Sequence, residues 1–157
     1  LQGVLQARIQ YPQAQLVAGC TDVGLWITKH HREWPHIIDV TQAHELLRLE
    51  FSDTHLTIGA AVSLENAWAA ITQDRPQLHA YWHRFAGLPV RNSGTMGGNI
   101  ANGSPIGDAM PVLIALNAHI ALASLNEQGH VTERTMPLES LYTGYKQNCM
   151  ATGEVLS

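Results

Sequence analysis

Arg91-Asn92-Ser93-Gly94-Thr95-Met96-Gly97-Gly98-Asn99-Ile100-Ala101-Asn102-Gly103-Ser104-Pro105-Ile106-Gly107-Asp108-Ala109-Met110-Pro111 is the stretch from which the rest of the chain is read. Five glycines are interleaved with Ser, Thr and Asn, and no Lys or Arg follows Arg91. Glycine lacks a Cβ, so its backbone can approach a ligand closely. Successive N–H groups in such a segment can converge into an anion-binding concavity. Thr95, Asn99, Asn102 and Ser104 add neutral polar groups, and Asp108 adds an acceptor suited to a sugar hydroxyl. Asp108 also reads as the N-cap of a helix whose apolar body runs from Met110 toward Ala118. The glycines alone fit an irregular surface turn equally well. The pair Gly97-Gly98, followed at once by Asn99, favours a ligand.

The stretch excludes two common phosphate sites. No Gly-Lys-Ser or Gly-Lys-Thr follows the glycines, so it is not the loop of nucleoside triphosphatases. The dinucleotide fingerprint G-x-G-x-x-G, which needs a strand before it and a helix opening inside it, is absent too. A phosphate site without basic side chains relies on backbone dipoles, which suits a tightly held diphosphate. A second candidate of this kind lies upstream. Gln15-Leu16-Val17-Ala18 reads as a short buried strand, and Thr21-Asp22 as a cap opening a helix to about His31. A strand feeding a helix N-terminus presents free N–H groups to an anion. Without the downstream stretch, a plain strand–helix turn is the simpler reading.

Composition bounds the alternatives. At 157 residues, the chain is long enough for one ordinary domain or two small lobes. A net charge of -4 argues against a nucleic-acid partner, which calls for a basic patch. No apolar run approaches a membrane span, and no leader points to secretion, so a cytoplasmic enzyme is expected. Leu1 in place of Met suggests a piece of a longer protein. Cys20 and Cys149 are too few for a four-thiolate iron–sulfur site, and a disulfide is not expected in that compartment.

The remaining segments read as alternating short elements. Pro35 ends the helix after Asp22, and His36 to Val40 forms a strand, so residues 15 to 40 make a parallel β-α-β unit. Leu46 to Phe51 and His55 to Val62 read as a hairpin about Ser52-Asp53. Ser63 caps a helix to about Gln73, and a further helix runs over residues 76 to 86. That helix carries His79 and His83 at i and i+4, but Ala80 stands where a zinc protease needs Glu, so a metal site is discounted. Phe85 packs in a core or flanks a flat ring. Ala118 to Leu125 and His130 to Arg134 form a second hairpin about Asn126 to Gly129. Val155-Leu156-Ser157 starts another strand. No pairing of Ser, Cys or His marks a nucleophile.

Leu16-Val17-Ala18-Gly19-Cys20-Thr21-Asp22-Val23-Gly24, Thr57-Ile58-Gly59-Ala60 and Arg91 to Asp108 together resemble the FAD-binding domain of the molybdenum hydroxylases. The stretches Trp26 to Lys29 and Gly94 to Asp108 are especially similar to the small subunit of bacterial xanthine dehydrogenases. The likeness covers nearly the whole chain. It implies an α+β fold of the FAD-binding PCMH type: a small parallel-strand lobe, taken as residues 1–62, a larger antiparallel-sheet lobe, taken as residues 63–157, and FAD between them. Leu16, Val17, Ala18, Gly19, Cys20, Thr21, Asp22 and Val23 match the family's first diphosphate cradle. Phe85 falls at its flavin-flanking aromatic, and Thr95, Gly98, Asn99 and Asp108 match its polar FAD contacts. Cys20 departs from the Asn or Gly usual there. The family's remaining FAD contacts belong to a C-terminal subdomain.

The resemblance also implies partners. A molybdenum cofactor on one subunit oxidises the substrate, iron–sulfur clusters on another domain pass electrons on, and FAD reduces NAD. The expected role is electron transfer in a purine-oxidising dehydrogenase. The flavin subunit of an aldehyde or carbon monoxide dehydrogenase, and a non-catalytic scaffold of the same fold, are the alternatives. No acid, base or nucleophile is assigned, because the flavin carries the chemistry.

Overall fold

The segment before the upstream turn sets the order of the elements. In the computed structural model, which describes residues 1–157, helix α1 (Gln2–Gln10) leads into strand β1 (Gln15–Val17), helix α2 (Val23–His30) and strand β2 (Ile37–Asp39). Gln15 N–H donates to the His36 carbonyl at 3.1 Å and Val40 N–H to the Val17 carbonyl at 3.0 Å. The two bonds advance together along both strands, so β1 and β2 are parallel, joined through α2. A one-turn 3₁₀ segment (His44–Leu47) replaces the start of the next expected strand, leaving β3 (Leu49–Phe51) to pair with β4 (Leu56–Ile58). Helix α3 (Leu64–Asp74) follows, then a 3₁₀ turn and α4 (His79–Arg84) where one continuous helix was expected.

The decisive stretch departs most from expectation. It is mostly helical: α5 (Leu88–Ser93), α6 (Met96–Asn102) and α7 (Ala109–Ala115), with turns at residues 94–95 and 103–108. Gly97 and Gly98 lie in the first turn of α6, and the reason is local. Thr95 Oγ1 accepts the Gly98 N–H at 3.1 Å, as an N-cap does three residues before the donor. The remaining elements are β5 (His119–Leu125), β6 (Val131–Pro137), β7 (Tyr142–Gly144), β8 (Gln147–Asn148) and β9 (Val155–Leu156).

The chain divides into two compact units, and neither is a contiguous half. One comprises residues 17–33 and 39–98, the other residues 1–16, 34–38 and 99–157. In the first, α3 supplies the core. Ser63 Oγ accepts the Asn66 N–H at 3.2 Å and starts the helix. Leu64, Ala67, Trp68 and Ile71 then bury one face at the i, i+3, i+4, i+7 spacing. Trp68 is fully buried, with the rings of Tyr81 and Phe85 each 5.3 Å away. Removing such a side chain costs about 3–5 kcal/mol.

The second unit is built on an antiparallel sheet ordered β6-β5-β9. Leu5 of α1 packs with Ala123 of β5 and Val155 of β9 in its core, with Leu16 partly buried against them. Arg134 grips Glu154 with two bonds, 2.6 and 2.9 Å, and thereby ties β6 to the turn before β9. Tyr142 donates to the Ile100 carbonyl at 3.0 Å, and burial pushes its phenol up to about 12.

Candidate functional site

In the first unit the upstream turn and the decisive stretch meet. A Cβ on Gly19 would lie 1.6 Å from the Ser93 carbonyl oxygen and 2.8 Å from Gly94 Cα, so backbone lies directly on backbone. A Cβ on Gly94 would stand 3.4 Å from Thr21 Oγ1. Ser93 ends α5, where Gly94 N–H closes on the Val90 carbonyl at 2.7 Å. A second close approach sets α6. A Cβ on Gly97 would lie 2.5 Å from Ala60 Cβ, and Gly97 N–H donates to the Ala60 carbonyl at 2.9 Å.

The turn itself is a run of unused donors. None of the N–H groups of Ala18, Gly19, Cys20, Thr21, Asp22 and Val23 takes part in a backbone hydrogen bond; the ladder resumes with Gly24 N–H to the Cys20 carbonyl at 2.9 Å. Asp22 stands at the N-cap of α2 but its side chain makes no cap bond. Cys20 at the apex has φ 59, the left-handed region that favours Gly and Asn. That is the physical sense of its departure from the Gly or Asn usual at this position.

The other expected residues are placed as follows. Leu16 and Val17 are half-buried in β1. Thr95 is buried, its hydroxyl used to cap α6, while Gly98 is exposed. Phe85 is buried in the first unit's core against Trp68. Asn99 and Asp108 belong to the second unit. Asn99 Oδ1 is shut off from solvent with no partner in the protein. Asp108 is exposed at the N-cap position of α7, and its side chain makes no cap bond, contrary to the expected capping role. The second unit also holds a cavity of about 390 Å³ beside Ser104 and Gly107, lined by Pro105, Met110, Tyr142 and Tyr145.

His79 and His83 do meet, Nε2 to Nε2 at 3.3 Å on exposed α4, yet no group of three or more His, Cys, Asp or Glu converges anywhere in the chain. No local pattern marks Glu65 or Ser93, and Arg91 stands out in the sequence only as the last basic residue of its stretch. Glu65 carries a signal after the fact: its carboxyl is held below the ordinary carboxylate value by the Arg91 guanidinium, helped by the Trp82 N–H.

An α+β domain whose strand–helix turn leaves a run of N–H groups without backbone partners has the makings of a main-chain anion site. The chain matches, over residues 1–157, the family described as the FAD binding domain in molybdopterin dehydrogenase, and it belongs to that family. It is therefore an FAD-binding domain with that family's α+β PCMH-type fold. The xanthine dehydrogenase of Drosophila pseudoobscura pseudoobscura is 38% identical over 168 residues, covering 99% of this chain and 12% of that protein. The xanthine dehydrogenase/oxidase of Gallus gallus is 31% identical over 169 residues, with the same coverage of 99% and 12%. A carbon monoxide dehydrogenase structure from Hydrogenophaga pseudoflava, a form lacking the Mo-pyranopterin moiety, is 26% identical with a TM-score of 0.86. It covers 99% of this chain and 53% of that one. Quinoline 2-oxidoreductase from Pseudomonas putida 86 shares the fold, with a TM-score of 0.87 at 24% identity, over 99% and 54% of the two chains. The chain thus spans about an eighth of the curated relatives it matches.

The residues present fit FAD. Within the first unit, the free N–H groups of the turn suit a diphosphate, and the exposed Gly98 leaves backbone open to approach.

Proposed function

We propose that this chain is the electron-transfer flavin module of a xanthine dehydrogenase-type molybdenum hydroxylase. The run of unused N–H groups from Ala18 to Val23, laid on Ser93, is the observation that carries the reading. In it, Leu16 to Val23 hold the diphosphate by main chain. Thr95, Gly98 and Asn99 bind the diphosphate and ribityl groups, Asp108 accepts from the ribose, and Phe85 stands by the flavin. Bound FAD supplies the exchange of electrons between iron–sulfur clusters on another domain and NAD. The substrate is oxidised at a molybdenum cofactor carried elsewhere in the assembly, and this chain's residues bind and orient the flavin without moving a substrate proton.

A carbon monoxide or aldehyde dehydrogenase is the second reading, favoured by the Hydrogenophaga likeness at 26% identity. The higher identity, 38%, falls to a xanthine dehydrogenase. The test is the full protein, purified and assayed for flavin by absorbance and for NAD reduction with xanthine, an aldehyde or carbon monoxide. Flavin at one per chain with xanthine-dependent NADH formation is expected. Turnover of carbon monoxide alone would move the assignment to the second reading. A folded protein without flavin would leave only a scaffold.

A further inference from the structure

Arg91 is the only Lys or Arg of the chain that is buried, and it stands two residues before Ser93. Its Nε donates to Glu65 Oε2 at 2.5 Å. Its NH1 group donates to the carbonyls of Phe85 at 2.8 Å and Ala86 at 3.0 Å. The same Glu65 oxygen accepts Trp82 Nε1–H at 3.2 Å. One guanidinium on α5 therefore ties down α3, through Glu65, and the end of α4, through Phe85 and Ala86. Ala86 sits at φ 46, a backbone conformation that its side chain does not favour, so the turn it makes depends on such ties.

The charge of Arg91 is spent on Glu65, so it is no phosphate ligand. What it controls is where α5 ends. Gly94 N–H closes α5 on Val90, and the Gly94 carbonyl in turn accepts Leu64 N–H at 2.8 Å, the first residue of α3. On that end rests the upstream turn, with Gly19 against the Ser93 carbonyl and Thr21 beside Gly94. We infer that Arg91 is a positioning residue for the diphosphate-binding turn: by locking α5 to α3 and α4 it sets the depth of Ser93–Gly94 beneath Gly19. The placement of the N–H groups from Ala18 to Val23 follows from that depth. A lysine cannot substitute. Its ammonium is a compact point charge, whereas these partners lie on separate edges of a planar fork.

The inference rests on the flavin reading of the turn. It is tested in the full protein with Arg91→Lys and with Glu65→Gln, the latter a milder change should the former fail to fold. Melting of the apo-protein, FAD affinity and the phosphorus NMR spectrum of bound FAD are recorded for each. A misplaced cradle is expected to weaken FAD by roughly 10- to 100-fold and to displace the two diphosphate resonances. Glu65→Gln, which leaves the guanidinium without its counter-charge, is expected to shift both readouts in the same direction but less. A folded variant that melts lower yet keeps wild-type FAD affinity and phosphorus shifts overturns the inference, leaving Arg91 a structural residue only. Wild-type protein that takes up no FAD overturns the flavin reading itself, a result distinct from an indifferent variant.

Discussion

Gly19→Ala puts the meeting of the two segments to a direct test. The added Cβ would stand 1.6 Å from the Ser93 carbonyl oxygen, 2.4 Å from its carbon and 2.8 Å from Gly94 Cα, all of them backbone atoms. A carbon approaches a carbonyl oxygen no closer than about 3.3 Å, so the segments must part by roughly 1.7 Å. Overpacking costs about 1–3 kcal/mol, and with no flexible side chain to yield the upper end applies. In a chain of this size that lowers Tm by about 6–12 °C. The same displacement spreads the N–H groups, so FAD affinity is expected to fall by roughly 100-fold. Calorimetry of the apo-protein and flavin-fluorescence titration read the two effects. Gly3→Ala, where a Cβ meets nothing within 4 Å, serves as the silent control. A Gly19→Ala protein that melts within a degree of wild type and holds FAD as tightly would refute the contact and the cradle built on it.

Gly98→Val is expected to abolish FAD binding while lowering apo stability by only about 1–2 kcal/mol, since the nearest atom to the new Cβ is Thr95 Oγ1 at 2.8 Å, a side chain whose cap bond is lost. Undiminished flavin fluorescence quenching would contradict it. Asp108→Ala is expected to weaken FAD by about 1–3 kcal/mol if the carboxylate accepts from the ribose. The missing cap bond at α7 argues against the alternative, a loss of about 1 kcal/mol seen in apo-protein melting. Cys20→Asn, which suits φ 59, is expected to raise stability by up to about 1 kcal/mol with FAD retained, and a lower urea midpoint would count against the strain. Glu65 and Glu154 are held below their ordinary value of 4.5, chiefly by hydrogen bonds from Arg91 and Arg134. The folded chain then binds fewer protons than the unfolded one. Their contribution is present above pH 4.5 and is lost as pH falls through the depressed values, so urea midpoints should drop in that window and Arg134→Gln should shrink the drop.

Short-range signals carried the reading of the fold, and long-range ones limited it. Ser63 with Asn66, and the turn at Asn126 to Gly129, act within a few residues, and both elements form where the patterns place them. The helicity of residues 88–102 was hidden because glycine, proline and asparagine all disfavour helix on their own. What overrides them is packing that the sequence does not display: Ala60 against Gly97, and the Thr95 cap. The grouping of the chain into units is long-range too: residues 1–16 join residues 99–157 through the packing of Leu5 on Ala123 and Val155. The upstream turn was legible as a strand feeding a capped helix, although Asp22 leaves the cap bond unmade.

The choice of donors belongs to a wider pattern around the turn. The N–H groups from Ala18 to Val23 make no backbone hydrogen bond. A lysine beside them would attract any phosphate, but it would also need its own counter-ion and a flexible stem to be ordered on binding. The chain instead keeps its buried cation at Arg91, closed off by Glu65 and two carbonyls, where it fixes backbone rather than touching ligand. Dipoles held by a packed frame need no reorganisation when an anion arrives, so the affinity of the turn depends on how firmly its floor is held. In this unit the floor is Ser93 and Gly94, and the tie nearest to it is the guanidinium of Arg91.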